Sequence, residues 1–260
     1  MRTKDIVERN FSRHARHYEA YDAVQRTIGA RLIARLGTGR FARILDVGCG
    51  TGGYTRLLHE RYRGARTQGI DLSAAMIEEA RRRVAGEGIE FVVGDAETVA
   101  FDTPFDLITS NACFQWFAHL DGTLARCAEA LAEDGLLAFS SLGPGTFREL
   151  GECLDVVLPA QQPISARSFA SQPELEAVLG RHFSEVSVTR EVMTEEYGCL
   201  LELLSAIKYT GTRGSGLDGV RITKTMLRRL EETYEERIGA TVATYEVFYC
   251  LARKKEVRPV

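Results

Sequence analysis

The sequence predicts an α/β protein built on a parallel sheet with helices on both faces, and three observations carry that prediction. Strand-like runs alternate with helix-period segments from about residue 42 to residue 139. Most of those runs are rich in apolar and β-branched residues, as in strands buried between helix layers. Each stops at glycine or a polar residue, at Gly48, Asp71, Gly94-Asp95 and Ser110-Asn111. Ligands on such sheets bind beyond the carboxyl ends of the strands, so these four ends describe one site.

The elements follow in order. The amino-terminal stretch MRTKDIVERNFSRHARHYEAYD is charged and has no apolar signal core. Residues 1–36 are assigned to a helical segment over the site, and residues 37–260 to the sheet domain. ARILDVG (42–48) reads as a strand that breaks into glycines, and YTRLLHERY resumes with helical spacing. RTQGIDLS ends in an acid and a helix N-cap, Ser73, ahead of AAMIEEARRRV. IEFVVGDAE and FDLITSN are β-branched runs; LARCAEALAEDG is a helix closed by Gly135, and LLAFSSL is a buried strand. SFASQPELEAVLG is a helix entered near Ser171 or Pro173. Strand alternation returns from Phe183 and again in TYEVFYCLARKK. Between these strands, residues 199–238 form an insertion of two helices joined by a glycine-rich loop, 211–219, a candidate lid.

Composition excludes several classes. The chain has 260 residues, 45% hydrophobic and 27% charged, as expected of one sizeable core. A net charge of -3 gives no general attraction to nucleic acid, and no long uncharged apolar run is present. Six scattered cysteines have no zinc or redox spacing, and His14 and His17 lack thiolate or carboxylate partners, so no metal is expected. A reducing, cytoplasmic setting follows from the cysteine usage.

The glycine turn GCGTGG (48–53) satisfies the dinucleotide pattern, with Asp71 at the expected distance, so the motif alone permits a nicotinamide dehydrogenase. Two features favour S-adenosylmethionine instead. Asp46 stands two places before the first glycine, where it can offset an ammonium and a sulfonium. GDAE (94–97) supplies a second acidic strand end able to accept from an adenine amine. The Tyr-x-x-x-Lys arrangement of one large dehydrogenase class is absent.

ILDVGCGTGG, GIDLSAAMIEEA, VVGDAE and FDLITSNACFQW together resemble the successive motifs of class I S-adenosylmethionine-dependent methyltransferases. The resemblance implies a Rossmann-like seven-stranded sheet whose last strand is antiparallel. Carried over by position, it puts Gly48 and Gly50 against the methionine moiety and Asp46 near its ammonium. Asp71 is implied on the ribose, Leu72 and Met76 along the adenine, Asp95 and Ala96 at the adenine edge, and Asn111 beside the transferable methyl. The flanks FSRHARHYEAYDAVQ, AIKYTGTRG and ITKTMLRRL resemble the malonyl-acyl carrier protein O-methyltransferases of biotin synthesis. Phe11, Arg13, Ala15, Tyr18 and Gln25 fit that family's amino-terminal pattern; Thr212 departs from the alanine common after its insertion turn.

That family implies methylation of the free carboxylate of a malonyl thioester on acyl carrier protein, with neither nucleic acid nor membrane as partner. The half-acid is ionised at neutral pH, so it needs orientation and charge balance but no base. Tyr18, Gln115, Arg148 and Lys208 are the candidates for that task. Two alternatives stand beside it. One is a related methyltransferase acting on a small carboxylic acid or quinone precursor; the other is a protein that senses S-adenosylmethionine without catalysis.

Overall fold

A computed structural model of the chain describes residues 3–86, 88–101, 104–158, 164–210 and 223–254. Seven strands form one sheet: β1 Arg43–Val47, β2 Arg66–Asp71, β3 Glu90–Val93, β4 Phe105–Asn111, β5 Leu131–Leu142, β6 Phe183–Glu196 and β7 Val242–Lys254. Their order is β3-β2-β1-β4-β5-β7-β6. All neighbours are parallel except β7, which runs antiparallel to both β5 and β6. The order reverses at β1, and the first glycine turn lies at that switch point.

Alternation along the strands divides the core. Ile44, Leu107 and Ala138 face one side, where they meet Ile28 and Leu32 of α2 (Ala23–Arg35), Leu58 of α3 (Gly53–Arg61), and Leu150 of α6 (Arg148–Val157). Leu45, Ile108 and Phe139 face the other side, against Leu124 of α5 (Leu120–Ala130) and Leu175 and Leu179 of α7 (Gln172–His182). A smaller cluster packs Ile77 and Ala80 of α4 (Ala74–Arg83) on Phe91. Local chemistry starts these helices as expected. Ser73 accepts from Met76 N at 3.2 Å to cap α4, and Ser171 with Glu174 forms a capping box on α7.

One boundary differs from the sequence expectation. The helix does not continue to Gly135; it ends at Ala130, and Leu131 already pairs with Phe105 in the sheet. Asp134 takes φ +59°, and the ladder shifts between Phe105 and Leu107. A Cβ on Gly135 would lie 2.9 Å from the Ala132 carbonyl, so the irregularity needs glycine. Helical periodicity here loses to the burial of Leu131 in the sheet.

Ahead of the sheet lie α1 (Thr3–His14), a 3₁₀ segment Ala15–Ala20, and α2. Between β6 and β7 lie α8 (Leu200–Tyr209) and α9 (Lys224–Ile238); the glycine-rich loop 211–219 falls outside the described residues. Tyr209 at the end of α8 stacks on Tyr21 at 4.5 Å and meets the His14 ring edge-on at 5.0 Å. The insertion therefore touches the amino-terminal segment.

Candidate active site

Three carboxylates stand on three adjacent strand ends. Asp46 is in β1, Asp71 ends β2, and Asp95 follows β3. At about 4.8 Å between neighbouring strands, the row spans roughly 10 Å. Asp71 is locked in place: the Gly50 N–H donates to its Oδ2 at 2.9 Å and the Ser73 N–H to its Oδ1 at 2.8 Å. Burial raises its pKa, and those two donors oppose the rise. Asp46 is fully buried; Thr55 donates to its Oδ2 at 2.6 Å, while its Oδ1 has no hydrogen-bond partner among the described residues. Burial pushes its carboxyl up to about 7, with Asp71 adding to the rise. A buried acceptor left open in this way fits a ligand that brings a cation.

Two cavities flank this row. The first, of about 310 Å³, is lined by Asp46, Gly48, Gly50, Asn111, Tyr18 and Gln25, with Arg26, Arg56 and Arg83 among its other walls. The second, of about 100 Å³, is lined by Asp71, Leu72, Met76, Asp95, Ala96 and Trp116, under Lys4, Val7 and Phe11 of α1. Tyr18, Gly48, Gly50 and Asn111 line both. The pair has acid at each strand end, apolar lining from Leu72 and Met76, and a buried open acceptor at Asp46. Such a shape fits an elongated ligand with a ribose, an aromatic base and an amine.

The two glycines serve different ends. A Cβ on Gly50, at φ +54°, would meet nothing within 4 Å, so its free side is the open cavity. A Cβ on Gly48, at φ +70°, would strike Cys113 Sγ at 2.2 Å, so glycine there is required by packing as well as by the turn. Asn111 is also engaged by the protein itself. Its Nδ2 donates to the Gln25 carbonyl at 2.8 Å, and Ser140 Oγ donates to its Oδ1 at 2.8 Å. Next to it, Ala112 holds φ +51°, anchored by its N–H to Ser140. A non-glycine residue in that region stores backbone strain at the cavity wall.

Of the four candidates for substrate orientation, only Tyr18 lines the cavities. Burial and the nearby Asp22 and Asp71 push its phenol well above the usual range, so it stays a neutral donor. Gln115 donates to the Ala112 carbonyl at 2.7 Å and accepts from Leu142 N at 3.4 Å, tying the β4 and β5 ends together. Arg148 is largely exposed and pairs with Glu149 at 2.9 Å. Lys208 lies 4.9 Å over the Tyr209 ring. Neither cation lines either cavity.

Sequence reasoning put a helical segment over the site but did not single out Lys4, Val7 or Glu8, which line the second cavity. Lys4 pairs with Asp95 and, at 2.8 Å, with Glu97, whose other oxygen accepts from His119 N at 2.7 Å. Lys4, Val7, Glu8 and Phe11 all line the second cavity, and their i, i+3, i+4, i+7 spacing was the available signal. Among the described residues, no group of three or more His, Cys, Asp or Glu is placed to hold a metal, and no helix is long and apolar enough to cross a membrane.

Comparison with known proteins gives a consistent picture. Residues 44–135 match the family described as "Methyltransferase domain". A malonyl-[acyl-carrier protein] O-methyltransferase of Acetivibrio thermocellus is 34% identical over 97% of this chain and 94% of its own. One from Geobacter sulfurreducens is 35% identical, over 95% and 98% of the two chains. Among solved structures, the YcgJ protein of Bacillus subtilis superposes with a TM-score of 0.62 at 20% identity, over 88% and 98%. Phosphoethanolamine N-methyltransferase 2 of Haemonchus contortus, solved with S-adenosyl-L-methionine, gives 0.63 at 19%, over 98% of this chain and 60% of that one. At such identities the structural likeness is one of fold.

Proposed function

Because the chain belongs to the family of malonyl-[acyl-carrier protein] O-methyltransferases, we propose that it methylates the free carboxylate of a malonyl thioester carried by acyl carrier protein, in the cytoplasm. It is an S-adenosylmethionine-dependent carboxyl O-methyltransferase. The observation that carries the mechanism is the row Asp46, Asp71 and Asp95 between two joined cavities, on a chain aligned with its relatives almost end to end.

S-adenosylmethionine, when bound, supplies a methyl carbon made electrophilic by the attached sulfonium. The protein's work is placement and charge balance. Asp46 takes the amine at the deep end of the first cavity, beside Gly48 and Gly50. Asp71, held by Gly50 and Ser73, takes the ribose hydroxyls. Leu72 and Met76 would supply apolar contacts to the base and Asp95 and Ala96 would lie toward its edge, while Lys4 ties α1 to Asp95 over that end. Asn111 fixes the wall near the reacting carbon through its bonds to α2 and β5 rather than by a free amide.

The malonyl carboxylate is its own nucleophile, so no group has to remove a proton. Tyr18, protonated and shared by both cavities, donates to the oxygen that does not react. A neutral donor suits this task, because a close cation would hold electron density away from the attacking oxygen. Gln115 supports the site through the Ala112 carbonyl. Arg148 and Lys208 lie outside the cavity walls and are assigned no contact with reacting atoms.

Mass spectrometry of malonyl-acyl carrier protein after incubation with the chain and S-adenosylmethionine tests the proposal, with succinyl carrier and free malonate alongside. A 14 Da gain, ~one CH₂, confined to the malonyl carrier is the expected result. Methylation of free malonate at equal rate would overturn the carrier requirement. No ester on any acceptor would overturn the reaction.

A further inference from the structure

Gln25 was noted in the sequence as part of an amino-terminal pattern, with no chemical role. The structure places it on α2, 7% exposed, in the wall of the 310 Å³ cavity. Its Oε1 has no hydrogen-bond partner, and the same is true of Asp46 Oδ1. Among the described residues lining that cavity, these two are the buried side-chain oxygens left without a donor. The other acids there are already engaged: Asp22 pairs with Arg26, and Glu19 with Arg83 and with Thr51 Oγ1 at 3.1 Å.

We infer that Gln25 is a second acceptor for the amino group of the cofactor, a positioning residue delivered by α2 from outside the sheet. The inference rests on the function proposed above. A primary ammonium has three N–H donors, and one open carboxylate oxygen satisfies one of them. Gln25 offers an acceptor with no charge of its own, so it adds direction without adding to the repulsion between Asp46 and Asp71. Buried acceptors are rarely left open unless something arrives to fill them.

The position of Gln25 is set by packing one turn along α2. A Cβ on Gly29 would lie 2.9 Å from Tyr54 Cδ2 and 3.0 Å from Asn111 Nδ2, so the helix rests directly on the end of β4. The Gln25 carbonyl also accepts from Asn111 Nδ2 at 2.8 Å. Backbone and neighbour are thus fixed, while the side-chain oxygen stays open. The consequence is selectivity: α2 distinguishes a nucleoside that carries an amino acid from one that does not.

Calorimetry on the full chain tests this, with S-adenosylhomocysteine and with 5′-methylthioadenosine, which lacks the amino acid portion. Gln25→Leu should weaken S-adenosylhomocysteine roughly tenfold or more and leave 5′-methylthioadenosine within about twofold. Gln25→Glu, which keeps an acceptor, should recover S-adenosylhomocysteine to within about threefold of the unaltered chain. Equal weakening of both ligands in Gln25→Leu would mean that the residue only seats α2, and would overturn the inference. Unchanged binding of both would overturn it too. If the unaltered chain bound 5′-methylthioadenosine but not S-adenosylhomocysteine, the cofactor assignment itself would fall.

Discussion

Cofactor binding should strengthen as pH rises through 7, and the main cause is the carboxyl raised highest among those lining the site. Asp46 is buried, holds one hydrogen bond from Thr55, and has its pKa pushed up to about 7 in the ligand-free chain. An ammonium binds the ionised form, so the proton must leave when the ligand arrives. Apparent affinity then scales with the ionised fraction, about 0.1 at pH 6 and about 0.9 at pH 8, which makes binding about tenfold weaker at the lower pH. Titration calorimetry with S-adenosylhomocysteine, repeated in buffers of different ionisation enthalpy, reads both quantities. It should report close to one proton released at pH 6 and close to none at pH 8. Asp46→Asn should bind more weakly at pH 8, by about 10- to 100-fold, and lose most of the slope. The same group has a stability signature of opposite direction. With a folded pKa above its unfolded value of about 3.9, it makes the ligand-free chain less stable as pH rises, by up to about 1.4 kcal/mol per pH unit between about pH 4 and pH 7. Below that window both states are protonated and above it both are ionised. A Kd flat from pH 6 to 8, or a slope that survives in Asp46→Asn, would refute the assignment of the amine to Asp46.

Other outcomes follow from the same geometry. Asp71→Ala removes the acceptor for Gly50 and Ser73 and should reduce S-adenosylhomocysteine affinity by about 100-fold or more by calorimetry; unchanged affinity would exclude it from the ribose. Tyr18→Phe should lower kcat with the malonyl carrier by roughly tenfold while leaving cofactor affinity within about twofold. Arg148→Ala, whose side chain is exposed and paired with Glu149, should stay within about twofold in kcat; a loss comparable to that of Tyr18→Phe would return it to the substrate. Gly48→Ala combines a positive φ with a clash on Cys113 and should cost about 2–4 kcal/mol in urea unfolding, partly recovered in the double variant with Cys113→Ala.

Much of the sheet and its ligand row was legible because each signal is local. An apolar β-branched run, a glycine turn and an N-cap such as Ser73 each declare themselves within a few residues. Asp46, Asp71 and Asp95 could be placed at strand ends by counting, and the strand order then set them side by side. The extent of β5 was not legible. Residues 131–135 carry helical periodicity, and only pairing with Phe105 in a buried ladder overrides it.

The sequence by itself determined the fold class, the glycine turn and the chemistry expected at the carboxyl edge, because those rest on near-neighbour pattern and on residue type. Only the tertiary structure decided which side chains meet there. Arg148 and Lys208 were plausible as cations, yet one pairs with the next residue and the other lies over its neighbour's ring. Lys4 lies 91 residues from Asp95 along the chain, and Gln25 lies 86 from Asn111, so no local signal could join them. Chain separation is erased by packing: α1 roofs one cavity and α2 leans on the end of β4. Whether Asp95 and Asn111 are engaged is settled by those long-range contacts.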